Sequence, residues 1–233
     1  MGNAKPVTVA RPDPVTKSYA VGALETAYRR ITELVASLDD AGFDGPSRCV
    51  GWSRRDLLFH VLLDAQRALV SFASPDPGPP DTDYVGYWSA YVSGSDDEHA
   101  RAHARFVTRS AAAYASPRGL TAQWTDTAGA VVRAARRLPD QPLATQGRVL
   151  PPPDLLTTFA VEAAVHHLDF DLGGPAVPLD LVVRTLDGPL GTGRRRPDWD
   201  DVTYAMKGTG RRELDAAERA VLESDAARFP LFG

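Results

Sequence analysis

"VEAAVHHLDF", residues 161–170, sets two of the chain's five histidines side by side, four residues after a glutamate and inside an apolar run. Read as a helix, it places Glu162 and His166 one turn apart on the same face. Leu155, Phe159 and Phe170 fall on that face too, so the carboxylate and the imidazole are aimed at apolar surroundings. A lone carboxylate is expensive to bury, so Glu162 requires a partner: a proton, a cation or a metal.

Outward from this stretch the spacing is helical. From Ser18 to Asp39, apolar residues from Leu24 to Leu38 recur at three-four spacing. The glycines and Pro46 of "AGFDGPSRCVGW" break that run. Ser53 with Asp56 three residues later predicts a capped start for a second helix, which runs to about Phe72 and buries Leu58, Val61, Leu62, Ala65 and Leu69. Further helices are expected from about Asp97 to Ala115, from about Leu120 to Leu138 and from Asp154 onward, followed by three shorter ones. "SPDPGPPDTD" reads as a long loop, and "PDQPLATQGRVLPPP" as extended chain. Alternating strands are nearly absent. The expected class is all-α: residues 1–17 an extended arm, 18–172 a bundle of four main helices, and 173–233 a small helical extension packed on it.

Composition sets outer limits. A hydrophobic fraction of 43% with 24% charged residues is ordinary for a soluble globular chain of 233 residues. A net charge of −4 and a pI near 5.7 lack the basic footprint of nucleic-acid binding. No apolar run is long enough to span a membrane, and the N-terminus has no signal-peptide core. The single cysteine, Cys49, excludes an internal disulfide and suits a reducing cytosol, so a cytoplasmic location is expected.

A third histidine, His60, lies within the second helix at the edge of its apolar stripe, flanked at i−4 and i+4 by Asp56 and Asp64. One reading is a surface histidine hydrogen-bonded to a carboxylate. The other is a metal ligand held by one of those carboxylates. His60, Glu162 and His166 then form a set of two histidines and one carboxylate that leaves a coordination position open, as catalytic sites do. Donors of this type accept zinc, nickel or iron. Asp169, three residues past His166, reads either as orienting it or as capping nearby charges.

Other residues compete for attention. His99 and His103 have the same four-residue spacing and form a rival candidate metal pair, but sit in a densely charged segment. His167 points about 100° away from His166 and reads as a packing or hydrogen-bonding residue. Cys49 reads as an inert, half-buried thiol. The run Arg194–Arg195–Arg196 reads as a solvated patch, or else as a grip for a carboxylate or phosphate. Tyr84, Tyr87, Trp88 and Tyr91 read as packing against the bundle, with a pocket roof as the alternative. No phosphate-cradling glycine loop and no serine-hydrolase elbow is present.

"GWSRRDLLFHVLLDAQRAL" and "TTFAVEAAVHHLDFDLG" resemble the two signature segments of the mycothiol-dependent maleylpyruvate isomerase N-terminal family, within the DinB-like superfamily. Trp52, Ser53, Asp56 and His60 match the first, and Glu162, His166 and Asp169 the second. The resemblance covers about residues 18–172, with a further likeness in the C-terminal tail. It implies a DinB-like helical bundle with a divalent metal, usually zinc, on His60, Glu162 and His166. It also implies mycothiol or a related thiol as cosubstrate and a small electrophile as substrate. Only about 60 residues follow the Glu162 helix, so the implied activity is the broader one: thiol transfer, addition or thiol-assisted isomerisation. The competing class is a non-catalytic metal- or ligand-binding helical module.

Overall fold

The computed structural model describes residues 14–92, 97–174, 176–191 and 197–232, with the side chains of 90–92, 97 and 99 outside that description. The expected extended arm lies almost wholly outside the described residues, as does the Arg194–Arg196 run. About 65% of the chain is helical and 4% strand, an all-α fold. The elements are α1 (Lys17–Ala36), α2 (Asp40–Asp44), α3 (Arg54–Phe72), α4 (Tyr84–Val92), α5 (Asp97–Ala112) and α6 (Pro117–Ala135). The strands β1 (Leu143–Thr145) and β2 (Arg148–Leu150) follow. The chain continues with α7 (Pro152–Asp169), α8 (Asp180–Leu190), α9 (Asp201–Gly208) and α10 (Ala216–Leu222), and a 3₁₀ turn spans Glu223–Arg228. No helix among the described residues is long and apolar enough to cross a membrane.

Four long helices close a ring, with α1 packed on α7, α7 on α3, α3 on α6 and α6 on α1. Leu24, Ile31, Leu58, Leu62, Trp124 and Leu155 fill the middle. Trp124 is fully buried and satisfies its indole N–H on Thr32 Oγ1 at 2.9 Å. The start of α3 follows the expectation from its sequence. Ser53 caps the Asp56 amide, and Asp56 returns its carboxylate to the Ser53 amide, a capping box. The expected third helix is α5, which packs on the outer side of α3; the ring is completed by α7. With Val107 and Ala111 as its buried aliphatic residues among many charged ones, α5 has too narrow an apolar stripe for a ring position.

The segment expected to be extended folds back as a two-residue hairpin. Leu143 pairs with Leu150, and Gln146 and Gly147 both take positive φ at the turn. The proline-rich loop is tied along it, through Asp76 N–H to Pro142 O, Ala144 N–H to Ser74 O, and Asp81 N–H to Val149 O. The hairpin thus spans the gap between α6 and α7 and delivers α7 into the ring. Buried on nearly every face, α7 hides its hydroxyls by returning Thr157 Oγ1 to Pro153 O and Thr158 Oγ1 to Leu155 O. Tyr84 and Tyr87 of α4 are buried and Trp88 stacks on Phe232, so these three are packing, while the Tyr91 side chain lies outside the described residues. Gly188 permits the α4–α8 contact, because a Cβ there would meet Val85 Cγ1 at 2.3 Å.

Candidate metal centre

The packing of α3 against α7 brings His60 onto Glu162 and His166. His60 Nε2 is 3.1 Å from His166 Nε2 and 3.6 Å from Glu162 Oε1, and His166 Nε2 is 3.3 Å from the same oxygen. Asp64, one turn along α3 from His60, brings Oδ2 to 3.5 Å from His60 Nε2. One donor atom from each of the four residues fits within 4.8 Å of the others. Nitrogen and oxygen ligands of zinc lie about 2.0–2.2 Å from the ion, so two at the tetrahedral angle stand about 3.3–3.5 Å apart. The four separations given above, 3.1–3.6 Å, bracket that spacing. Asp64 Oδ1 takes Arg67 at 2.8 Å, but Oδ2 is buried without a hydrogen-bond partner. Such an oxygen costs about 1–3 kcal/mol to leave unsatisfied, and it lies beside the place a cation would fill. The residues present fit a divalent ion.

The protonation pattern agrees with a centre for one positive charge. Burial pushes His60 down to about 4, so the imidazole is uncharged at neutral pH. Burial also pushes His166 down, but hydrogen bonds with Asp169, Cys49 and Glu162 outweigh it and hold the imidazole well above the usual histidine range. Burial likewise opposes ionisation of Glu162, and the adjacent imidazoles of His166 and His60 reverse that, holding it well below the carboxylate range. Asp64 is pushed well up, by burial first and then by the Glu162 charge. Without a metal, a proton on His166 Nε2 bridges the groups that a cation would otherwise bring together.

Behind His166 lies a charged network. His166 Nδ1–H donates to Asp169 Oδ2 at 2.9 Å, and Asp169, with no exposed side-chain surface, takes Arg211 Nη2 at 3.0 Å on the same oxygen. Arg211 Nε reaches Oδ1 at 3.2 Å, and the Cys49 thiol donates to Oδ2 at 3.4 Å. Asp169 is therefore held far below the carboxylate range: burial opposes ionisation, but His166 and Arg211 outweigh it.

Behind His60 the arrangement differs from expectation. Asp56 gives Oδ2 to the Ser53 amide at 2.9 Å and hydroxyl at 2.8 Å, because the helix start claims it. His103 of α5 stands there instead, its Nε2 3.3 Å from His60 Nδ1. Read from sequence as half of a rival pair with His99, whose side chain lies outside the described residues, His103 adjoins the main cluster. His167 is buried against α1, with burial pushing its pKa down. Sequence reasoning missed Arg211, which is 42 residues from its partner, and it read Cys49 as a bystander. Neither carries a local signal beyond the basic pair at 211–212 and the position of Cys49 just before α3.

Residues 24–171 match the family described as the mycothiol maleylpyruvate isomerase N-terminal domain. Two solved structures share the fold. One is a mycothiol-dependent maleylpyruvate isomerase, with 19% identity, a TM-score of 0.52, and coverage of 76% of this chain and 70% of that one. The other is a histidine-to-alanine variant of a mycothiol-dependent maleylpyruvate isomerase, with the same identity and coverage and a TM-score of 0.53. No curated protein matches the chain.

Proposed function

From the premise that the chain belongs to the mycothiol maleylpyruvate isomerase N-terminal domain family, we propose that it is a thiol-dependent enzyme with a divalent cation on His60, Glu162 and His166. Zinc is the first choice for this donor set, with nickel and iron as alternatives. The cosubstrate is mycothiol or a related low-molecular-weight thiol. The substrate is a small electrophile, handled by S-transfer, addition or thiol-assisted isomerisation. The observation that carries this reading is the convergence of four donors, two buried and two half-buried, one of them an oxygen without a hydrogen bond, between two helices.

A bound divalent ion supplies a Lewis acid that lowers the pKa of a thiol, ordinarily about 8.5, so that the nucleophilic thiolate prevails at neutral pH. The chain's own residues prepare for this. Asp169 keeps the His166 proton on Nδ1 and leaves Nε2 as a donor. Arg211 balances the Asp169 charge, so that Asp169 orients His166 without taking its proton.

The test is turnover. Zinc-loaded protein is given mycothiol with either maleylpyruvate or an alkylating electrophile, and products are followed by NMR. Isomerised maleylpyruvate identifies an isomerase, and an S-conjugate identifies a transferase. No metal uptake, with no reaction on either arm, would replace this reading with that of a non-catalytic binding module.

A further inference from the structure

A histidine that ligates a metal through one nitrogen almost always donates its other N–H to a carboxylate, a carbonyl or water, which fixes the tautomer. His166 meets that rule through Asp169. For His60 the flanking carboxylates are otherwise engaged: Asp56 closes the α3 cap, and Asp64 faces Nε2. The group at Nδ1 is another imidazole. His103 Nε2 lies 3.3 Å away, with the rings edge to face at 78° and centroids 5.4 Å apart. The Trp52 indole packs beside both rings, at 5.1 Å from His60 and 6.3 Å from His103.

We propose that His103 is a positioning residue for the metal centre, accepting the Nδ1–H of His60 and thereby directing the His60 Nε2 lone pair into the donor cluster. A hydrogen bond in that direction puts the His60 proton on Nδ1 and leaves His103 Nε2 bare. An imidazole aims the ligand without adding negative charge to a centre that already has Glu162 and Asp169 against Arg211. It also ties α5, which lies outside the four-helix ring, to the orientation of one ligand. The effect on cation binding rests on the proposed metal centre; the tautomer assignment does not.

The experiment uses full-length protein labelled with ¹⁵N-histidine and compares wild type, His103→Ala and His103→Gln. Gln can accept the same hydrogen bond through its side-chain carbonyl. Long-range ¹H–¹⁵N spectra of metal-free protein should show His60 as the Nδ1–H tautomer in wild type and His103→Gln, and as a mixture in His103→Ala. Zinc affinity, read by competition with a chromogenic chelator, should fall about tenfold or more in His103→Ala and recover most of that loss in His103→Gln. Unchanged tautomer and affinity in His103→Ala would overturn the proposal. So would an equal loss in both variants, which would reduce His103 to a ring packed on Trp52. Should wild type take up no zinc, the metal reading fails, and the tautomer spectra alone decide the role of His103.

Discussion

The two histidines at the centre are held in opposite ways. His166 is backed by a buried carboxylate that is neutralised in turn by an arginine from the tail, and charge-assisted hydrogen bonds make that side rigid. His60 is backed by an exposed histidine on a peripheral helix. The α7 side thus resembles a fixed wall and the α3–α5 side an adjustable one. On the proposed function, a fixed side would hold the centre while a less constrained one admits a thiol and an electrophile.

The largest expected effect removes both sides at once. The His60→Ala/His166→Ala double variant should bind no divalent metal by elemental analysis, whereas wild type carries close to one equivalent. If the double variant keeps its metal while His99→Ala loses it, the ligands have been assigned to the wrong helices.

Next come the supports, where the contrast should become visible. Asp169→Ala frees His166 and leaves Arg211 without its buried partner. Chemical denaturation should show a loss of about 3–5 kcal/mol. Metal affinity should fall about 10–100-fold. Arg211→Ala should lose less, because His166 still neutralises Asp169. Equal losses in His103→Ala and Asp169→Ala would erase the distinction between the two walls.

The fold was legible wherever periodicity and local capping decide it. The α3 start was readable because Ser53 and Asp56 are three residues apart, and α1 because its apolar stripe is wide. The hairpin was not, since strands of three residues cannot show alternation and Gln-Gly is not one of the strong turn pairs. At the site, His60, Glu162 and His166 follow from helical spacing together with the paired motifs. Asp56 misled because a carboxylate at i−4 can serve either a histidine or a cap, and the nearer backbone amide won. Arg211 and His103 reach the site through tertiary packing, which no local pattern records.

A smaller effect concerns protons. In metal-free protein His166 is raised above its unfolded value, so its stabilising contribution is present below about pH 6.5 and fades as pH rises through the raised value. His60 acts in the opposite sense: its contribution is lost as pH falls from about 6.5 towards about 4. Metal uptake at pH 7 should therefore release at least the His166 proton, measurable by calorimetry in buffers of different ionisation enthalpy. Zero release would mean that no proton bridges the empty cluster. The smallest effect separates cap from centre: Asp56→Ala should cost about 1 kcal/mol of stability and leave metal affinity unchanged.

The most direct measurement is calorimetric titration of mycothiol into zinc-loaded and zinc-free protein, on wild type and on Glu162→Gln. Zinc-loaded wild type should bind the thiol with proton release, while zinc-free wild type and Glu162→Gln should bind weakly or not at all. Zinc-loaded wild type that binds neither mycothiol nor any related thiol would contradict the account.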